Sequence, residues 1–179
     1  MHLALLSDTH NNAQQMTWAM QSLHQRGPGF VIHCGDIGTA SMLDLFRVEP
    51  GRYAAGFVFG NDDENQGNCA ALRSRALELG VVCFERFGEF EMGGKRFAVL
   101  HGDDEQKLAA TIATGEYDIV LHGHTHVWRD QQSIAANGKT VRVINPGALD
   151  KPRPNEVGTI ERTCAIMDVE QGKLLKIYL

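Results

Sequence analysis

Hydrophobic residues in this chain come in short runs, and the runs change character part-way along. Residues 2–7 and 30–34 are almost wholly apolar, the pattern of strands buried on both faces. Between them Ala13, Met16, Ala19, Met20 and Leu23 recur at spacings of three and four, which makes one face of a helix. Asn11 or Asn12 can cap its start, and Gly27-Pro28-Gly29 stops it after about Arg26. A second helix from Thr39 or Ser41 to about Arg47 and a strand over residues 53–59 complete a β-α-β-α-β series. That order predicts parallel pairing with helices against the sheet. Further on, residues 72–79 and 106–113 read as helices and 117–121 as a buried strand. Three hairpins follow from their turns: 85–91 with 96–100 around Gly93-Gly94, 131–136 with 140–144 around Asn137-Gly138-Lys139, and 163–169 with 174–179 around Gln171-Gly172. The proline-rich piece 150–154 reads as a surface loop. The expectation is one α/β domain over residues 1–179, with two sheets, one mixed and one mostly antiparallel, flanked by helices.

Composition narrows the class. A length of 179 residues suits one domain. With 43% hydrophobic and 22% charged residues, the chain can fold around a core and is not a disordered one. The net charge of −5 argues against binding long nucleic acids, which reward basic proteins through counterion release. Cys34, Cys69, Cys83 and Cys164 form no CxxC pair and read as core thiols in a reducing compartment. The apolar start is short, lacks a basic leader and is broken by Asp8 and His10, so no signal peptide is expected. No apolar stretch approaches the ~20 residues of a membrane span. A cytoplasmic protein is expected.

Polar clusters follow five of the apolar runs: Ser7-Asp8-Thr9-His10, Gly35-Asp36, Gly60-Asn61-Asp62-Asp63, His101-Gly102-Asp103 and Gly123-His124-Thr125-His126. Ligands of open α/β sheets bind beyond the carboxyl ends of strands, so these clusters can surround one crevice. Asp8, His10, Asp36, Asn61, His101, His124 and His126 offer oxygen and imidazole donors without a thiolate, which suits divalent ions other than a cysteine-held structural zinc. Seven donors are too many for one ion with an open position and enough for two. Two neighbouring ions can stabilise both the attacking and leaving oxygens of a phosphoryl displacement. Each cluster alone is an ordinary polar turn; the ordered set is what carries the argument.

The order D-x-H, G-D, G-N-x-(D/E), H-G and G-H-T-H resembles the calcineurin-like metallophosphoesterase superfamily, in particular its small single-domain YfcE-type members. Asn145-Pro146-Gly147-Ala148 is similar to a segment that follows the last hairpin there, and the resemblance runs over about residues 1–149. It implies a two-sheet sandwich fold and a binuclear site. Asp8, His10 and His126 would hold the first ion, and Asn61, His101 and His124 the second. Asp36 would bridge them together with a hydroxide that attacks phosphorus. Asp36, Asn61, Asp62 and His101 are then the expected catalytic group, and Mn²⁺ the first choice of metal, with Ni²⁺, Fe²⁺ and Zn²⁺ as the others. The implied reaction is hydrolysis of small phosphate esters, diesters ahead of monoesters. The alternative is a non-catalytic, metal-binding interaction scaffold, since a retromer coat subunit resembles the same group. A homo-oligomer is left open.

Two positions depart from the family pattern. Asp62 stands where many members have a histidine that protonates the leaving group; it can act as an acid only if its pKa is raised. Asp103 stands where a histidine is common, which alters charge near the second ion. Asp63 is expected to orient a ligand histidine. His33 reads as a satisfied core residue, while His122 alternates with His124 and can share its side. Trp128 either packs or lines the site, and Arg129 and Arg153 are loop cations able to meet an anion.

Overall fold

The structure, a computed structural model, describes residues 1–47, 54–154 and 157–179. Strand β1 (His2–Leu6) places Leu3 and Leu5 on one face and Ala4 and Leu6 on the other, and all four are fully buried. A strand buried on both faces needs cover on both, and this requirement organises the molecule. β1 pairs parallel with β2 (Phe30–His33), β2 with β3 (Ala54–Phe57), and β3 with the short β4 (Val82–Cys83). On its other edge β1 pairs antiparallel with β10 (Thr163–Asp168), which pairs antiparallel with β11 (Lys173–Tyr178). The first sheet thus has the order β11-β10-β1-β2-β3-β4.

The helices in chain order are α1 (Ala13–His24), α2 (Asn61–Asn65), α3 (Cys69–Leu79) and α4 (Glu105–Thr114), with a 3₁₀ helix at Ala40–Arg47. Ala4, Leu6, Val31, Ala55 and Phe57 form one core with Met16, Met20 and Leu23 of α1, Leu43 and Phe46 of the 3₁₀ helix and Leu72 of α3. Leu3, Leu5 and Ile32 point the other way, onto Phe97, Val99, Ile119, Leu121 and Ile144 of the second sheet. That sheet contains β5 (Phe87–Met92), β6 (Lys95–Leu100), β7 (Ile119–Leu121), β9 (Thr140–Pro146) and β8 (Trp128–Ile134), in this spatial order. Its far face, with Ala98, Leu100, Val120, Val141 and Val143, is covered by Leu108 and Ile112 of α4. Helices, sheet, sheet and helix therefore stack in four layers.

The sandwich and the parallel β1-β2-β3 series agree with the expectation from sequence. The second sheet does not: it is as mixed as the first. β5 and β8 pair antiparallel with β6 and β9, but β7 enters between β6 and β9 and pairs parallel with both. The hairpins are local and visible in sequence, whereas the α4 crossover that inserts β7 is a long-range event. The second expected helix is a 3₁₀ helix; Met42, Leu43 and Phe46 are buried at a spacing that fits either form, and Met42 N–H donates to Thr39 three residues back. α2 carries no apolar stripe and β4 is too short for a period, so neither was expected. β8 begins at Trp128, before the expected 131, because its ladder continues to Pro146. Residue 53, the expected start of the third strand, lies outside the described residues.

The helix ends follow local chemistry. Asn12 caps α1 by accepting from Gln15 N–H at 3.2 Å, and Asp104 caps α4 by accepting from Lys107 N–H at 2.9 Å. Gly80 ends α3 in the left-handed conformation, where a side chain would be strained.

Candidate metal centre

The five polar clusters follow the carboxyl ends of β1, β2, β3, β6 and β7, and backbone hydrogen bonds bind them together. Asp8 N–H donates to Gly35, Thr9 and His10 N–H to Asp36, and Gly123 N–H to His101. These turns are tight enough to force side chains into the left-handed region. Of the eight described non-glycine residues with positive φ, five are Asp8, His10, Asp36, His124 and His126. Such a conformation costs about 1–3 kcal/mol per residue and persists where its surroundings over-determine it. The backbone is strained at the residues whose side chains must converge.

They do converge. His126 Nε2 lies 3.2 Å from Asp8 Oδ1 and 3.2 Å from His10 Nε2. His101 Nε2 lies 3.2 Å from Asp36 Oδ2, and His10 Nε2 is 3.9 Å from the same oxygen. Two trios result, Asp8–His10–His126 and Asp8–Asp36–His101, each with ligand atoms within 4.8 Å of one another. Asn61 and His124 flank the second trio: His124 Nδ1 is 3.1 Å from Asn61 Oδ1, and its ring centre is 5.2 Å from that of His101. All seven candidate ligands thus meet at one place.

Their far sides are held by the rest of the fold. His101 Nδ1 donates to the Cys34 carbonyl at 2.8 Å, and His126 Nδ1 donates to the Lys151 carbonyl at 2.7 Å. Each bond puts the ring proton on Nδ1 and leaves Nε2 facing inward, the usual outer support of a metal-binding histidine. Asp36 Oδ1 accepts from Asp62 N–H at 2.9 Å, leaving Oδ2 towards the rings. Two glycines make room for the carboxylates. A β-carbon on Gly60 would collide with the Asp36 carboxylate, and one on Gly123 with the Ser7 hydroxyl and the Asp8 carboxylate.

Electrostatics fits a cation site. Burial pushes the Asp8 and Asp36 carboxyls up, but His126 and His101 against them hold both below the ordinary value. Burial opposes a charged ring at His101 and His126, yet the carboxylates prevail and raise both, His101 to about 9. Protons on these imidazoles neutralise Asp8 and Asp36, a task that a divalent ion can take over. His101 Nε2 is buried and, though 3.2 Å from Asp36 Oδ2, makes no well-aligned hydrogen bond, a shortfall that a metal would make good. The oxygen and imidazole donors, the inward-facing Nε2 atoms and the two buried carboxylates fit divalent ions.

Several outer residues behave otherwise than the sequence implied. Asp63 orients no histidine; it accepts from the backbone N–H groups of Ile37, Gly38 and Gly60, tying the Asp36 loop to α2. Asp103 is paired with Arg86 at 2.6 Å, so the charge it introduces beside His101 is compensated. Asp62 places both oxygens on neighbours, Oδ1 on Asn61 Nδ2 at 3.0 Å and Oδ2 at 3.1 Å from His10 Nδ1. His33 is a satisfied core residue as expected, 2.6 Å from the Thr9 hydroxyl, and burial lowers its pKa to about 3. His122 is buried, with its pKa lowered by burial to about 4. Trp128 packs against the core between the sheets. Sequence reasoning gave no role to Asn145, whose amide donates to Gly123 and to the Thr125 hydroxyl and so holds the G-H-T-H turn. The signal that pointed to it was the similarity of Asn145-Pro146-Gly147-Ala148 to a family segment, which named the residue but not its partners. The carbonyls of Cys34 and Lys151 carried none, since any residue supplies a carbonyl.

Residues 1–172 match the model of the calcineurin-like phosphoesterase superfamily domain, and this chain belongs to that superfamily. A phosphodiesterase of Methanocaldococcus jannaschii, MJ0936, is 26% identical over 147 residues, which are 82% of this chain and 83% of that protein. The structure of a novel archaeal phosphodiesterase superposes with a TM-score of 0.83 at 26% identity, covering all of both chains. At lower identity the fold alone is shared with the phosphoesterase YfcE of E. coli, with a TM-score of 0.66, 16% identity and coverage of 99% and 98%. It is shared equally with zinc-complexed Vps29 of Entamoeba histolytica, with a TM-score of 0.64, 15% identity and coverage of 100% and 98%.

Proposed function

We propose that this chain hydrolyses small phosphate esters, diesters ahead of monoesters, with two divalent ions at the centre described above. The observation that carries the reading is the convergence of three imidazole Nε2 atoms on two buried carboxylates, Asp8 and Asp36. Asp8, His10 and His126 would hold one ion, Asn61, His101 and His124 the other, and Asp36 would reach both. Divalent ions so held lower the pKa of a bound water towards neutrality and take up charge on the phosphate oxygens.

The chain's own groups set the rest. Cys34 and Lys151 carbonyls hold the rings of His101 and His126 in the ligating tautomer. Asn61 Nδ2 carries a second proton that can reach a phosphate oxygen. Asp62 Oδ1 accepts from Asn61 and Oδ2 lies 3.1 Å from His10 Nδ1, so its carboxylate is turned to these neighbours and no ready proton donor faces a leaving group. That favours esters whose leaving groups are already acidic. The 26% identical archaeal phosphodiesterase supports diesters as the substrate class. Mn²⁺ is the first choice among the ions on the family resemblance, while the mixed carboxylate, amide and imidazole donors suit Ni²⁺, Fe²⁺ and Zn²⁺ as well. The four cysteines are free thiols, in keeping with a reducing compartment such as the cytoplasm.

A scaffold that binds no metal leaves so many carboxylates and imidazoles at one buried place unexplained, because such groups cost free energy unless paired or metal-bound; a metal-binding scaffold differs from the enzyme only in turnover. The test is hydrolysis of a bis-aryl phosphate and an aryl monophosphate by metal-stripped protein, with Mn²⁺, Ni²⁺, Zn²⁺ and Mg²⁺ restored in turn. Metal-dependent cleavage, faster for the diester, is the expected result. Metal binding with no turnover of either ester would favour the scaffold.

A further inference from the structure

We propose that Asp62 is a positioning residue that aligns one candidate ligand of each ion, an inference that rests on the two-ion reading above. Its carboxylate spans the two halves of the centre. Oδ2 lies 3.1 Å from His10 Nδ1, and Oδ1 accepts from Asn61 Nδ2 at 3.0 Å. The first contact places the ring proton of a neutral His10 on Nδ1 and leaves Nε2 for the ion shared with Asp8 and His126. The second turns the amide nitrogen of Asn61 outward, so that its oxygen faces His124 Nδ1 at 3.1 Å. His101 and His126 obtain the same support from backbone carbonyls; for His10 the supporting group is Asp62.

The carboxylate is required, not merely a polar side chain of its shape. A carboxylate accepts at both oxygens, whereas an amide accepts at one and donates at the other. An amide here can therefore support His10 or Asn61 but not both. If it donates to His10 Nδ1, the ring proton moves to Nε2 and that nitrogen is lost as a ligand. If it donates towards Asn61, the Asn61 amide flips and presents nitrogen to the second ion. Asp62 is also anchored: its backbone N–H donates to Asp36 Oδ1 at 2.9 Å, a bond that side-chain substitutions leave in place. Its side chain is 40% exposed on the short helix α2, so replacing it removes no core.

The experiment uses the metal-free protein, unsubstituted and as Asp62→Ala and Asp62→Asn. Mn²⁺ binding is followed by titration, and the His10 tautomer by long-range ¹H–¹⁵N spectra at pH 8. Wild-type protein is expected to bind two Mn²⁺ ions and to show His10 with its proton on Nδ1. Asp62→Ala should release that tautomer preference and weaken Mn²⁺ binding by about 10–100-fold, the usual effect of losing an outer partner. Asp62→Asn should weaken one of the two sites and leave the other close to wild type. Retention of both the tautomer and wild-type Mn²⁺ affinity in Asp62→Ala would overturn the proposal. That result, with slower turnover confined to esters of poor leaving groups, would make Asp62 a general acid instead. Failure of wild-type protein to bind Mn²⁺, Ni²⁺, Fe²⁺ and Zn²⁺, each titrated in turn, would refute the two-ion reading itself, before any variant is compared.

Discussion

The ring of His101 donates from Nδ1 to the backbone carbonyl of Cys34 at 2.8 Å, and this bond aims its Nε2 at Asp36, 3.2 Å away. A residue at the end of one sheet is thereby oriented by the end of the other. Cys34 follows β2 of the first sheet, and His101 follows β6 of the second. The sandwich is thus part of the site's geometry, because the distance between the sheets sets the distance between carboxylate and imidazole.

Because the contact uses the carbonyl of Cys34 and not its thiol, the thiol is dispensable. Cys34→Ala should retain metal content and ester hydrolysis within a few-fold of wild type. Asp36→Ala should lower both by more than the ~10–100-fold typical of losing an outer partner. Metal analysis and turnover of a bis-aryl phosphate, measured side by side, check this. Equal effects of the two substitutions would contradict the assignment.

His124 and His126 lie on one turn, and each faces a different part of the centre. His124→Ala and His126→Ala should each abolish most metal-dependent hydrolysis, while His24→Ala on α1 should leave it unchanged. Wild-type rates in His124→Ala would show that the Asn61–His124 pair is not used.

The proton on His101 makes stability depend on pH in a definite sense. Its folded pKa of about 9 lies above the unfolded value of ~6.5, so its contribution is complete below pH ~6.5 and is lost as pH rises through about 9. Metal-free protein should therefore melt at lower temperature as pH rises across that window. Protein loaded with divalent ions, in which this ring would serve as a neutral ligand on the proposed reading, should lose that dependence. Parallel thermal melts with and without Mn²⁺ provide the comparison.

His33 and His122 act in the opposite sense and in another window. Burial lowers their pKa values to about 3 and about 4, so below pH ~6.5 the unfolded chain takes up protons that the folded chain refuses. Stability should fall as pH drops from ~6.5 towards 4, with a limiting slope of about 1.4 kcal/mol per pH unit for each ring. Urea midpoints over that range measure the slope, and a flat profile would mean that these rings are charged in the folded protein.

The close approach at Gly60 predicts a further outcome. Gly60→Ala would drive a methyl group into the Asp36 carboxylate, costing about 1–3 kcal/mol as an overpacked site does. It should reduce metal binding more than Gly29→Ala, whose added carbon meets only a carbonyl at 3.7 Å. Mn²⁺ titration of the two variants distinguishes a site effect from a general one.

Much of the fold was legible in the sequence, because strands buried on both faces and glycine-centred hairpins leave local signatures. Residues 2–6, the α1 stripe and the Gly93-Gly94 turn needed no partner to be recognised. The seven candidate ligands were legible as well, since each sits in a polar break directly after an apolar run. Their division between two ions came from the family resemblance alone and stands as a proposal. The alternation of Leu3 and Leu5 against Ala4 and Leu6 shows that β1 has two buried faces, but only the packed sandwich decides what covers each one. Asp62 and Asp63 are adjacent carboxylates with the same local chemistry. Tertiary structure sends one to His10 and Asn61 and the other to the backbone of the Asp36 loop. The sequence by itself determined the elements and the donor atoms, because propensity, capping and residue chemistry are local. The parallel insertion of β7, the tautomers of His101 and His126 and the division of labour between Asp62 and Asp63 were decided by the tertiary structure alone. Each depends on a backbone or carboxylate brought from a distant part of the chain, which no local pattern encodes.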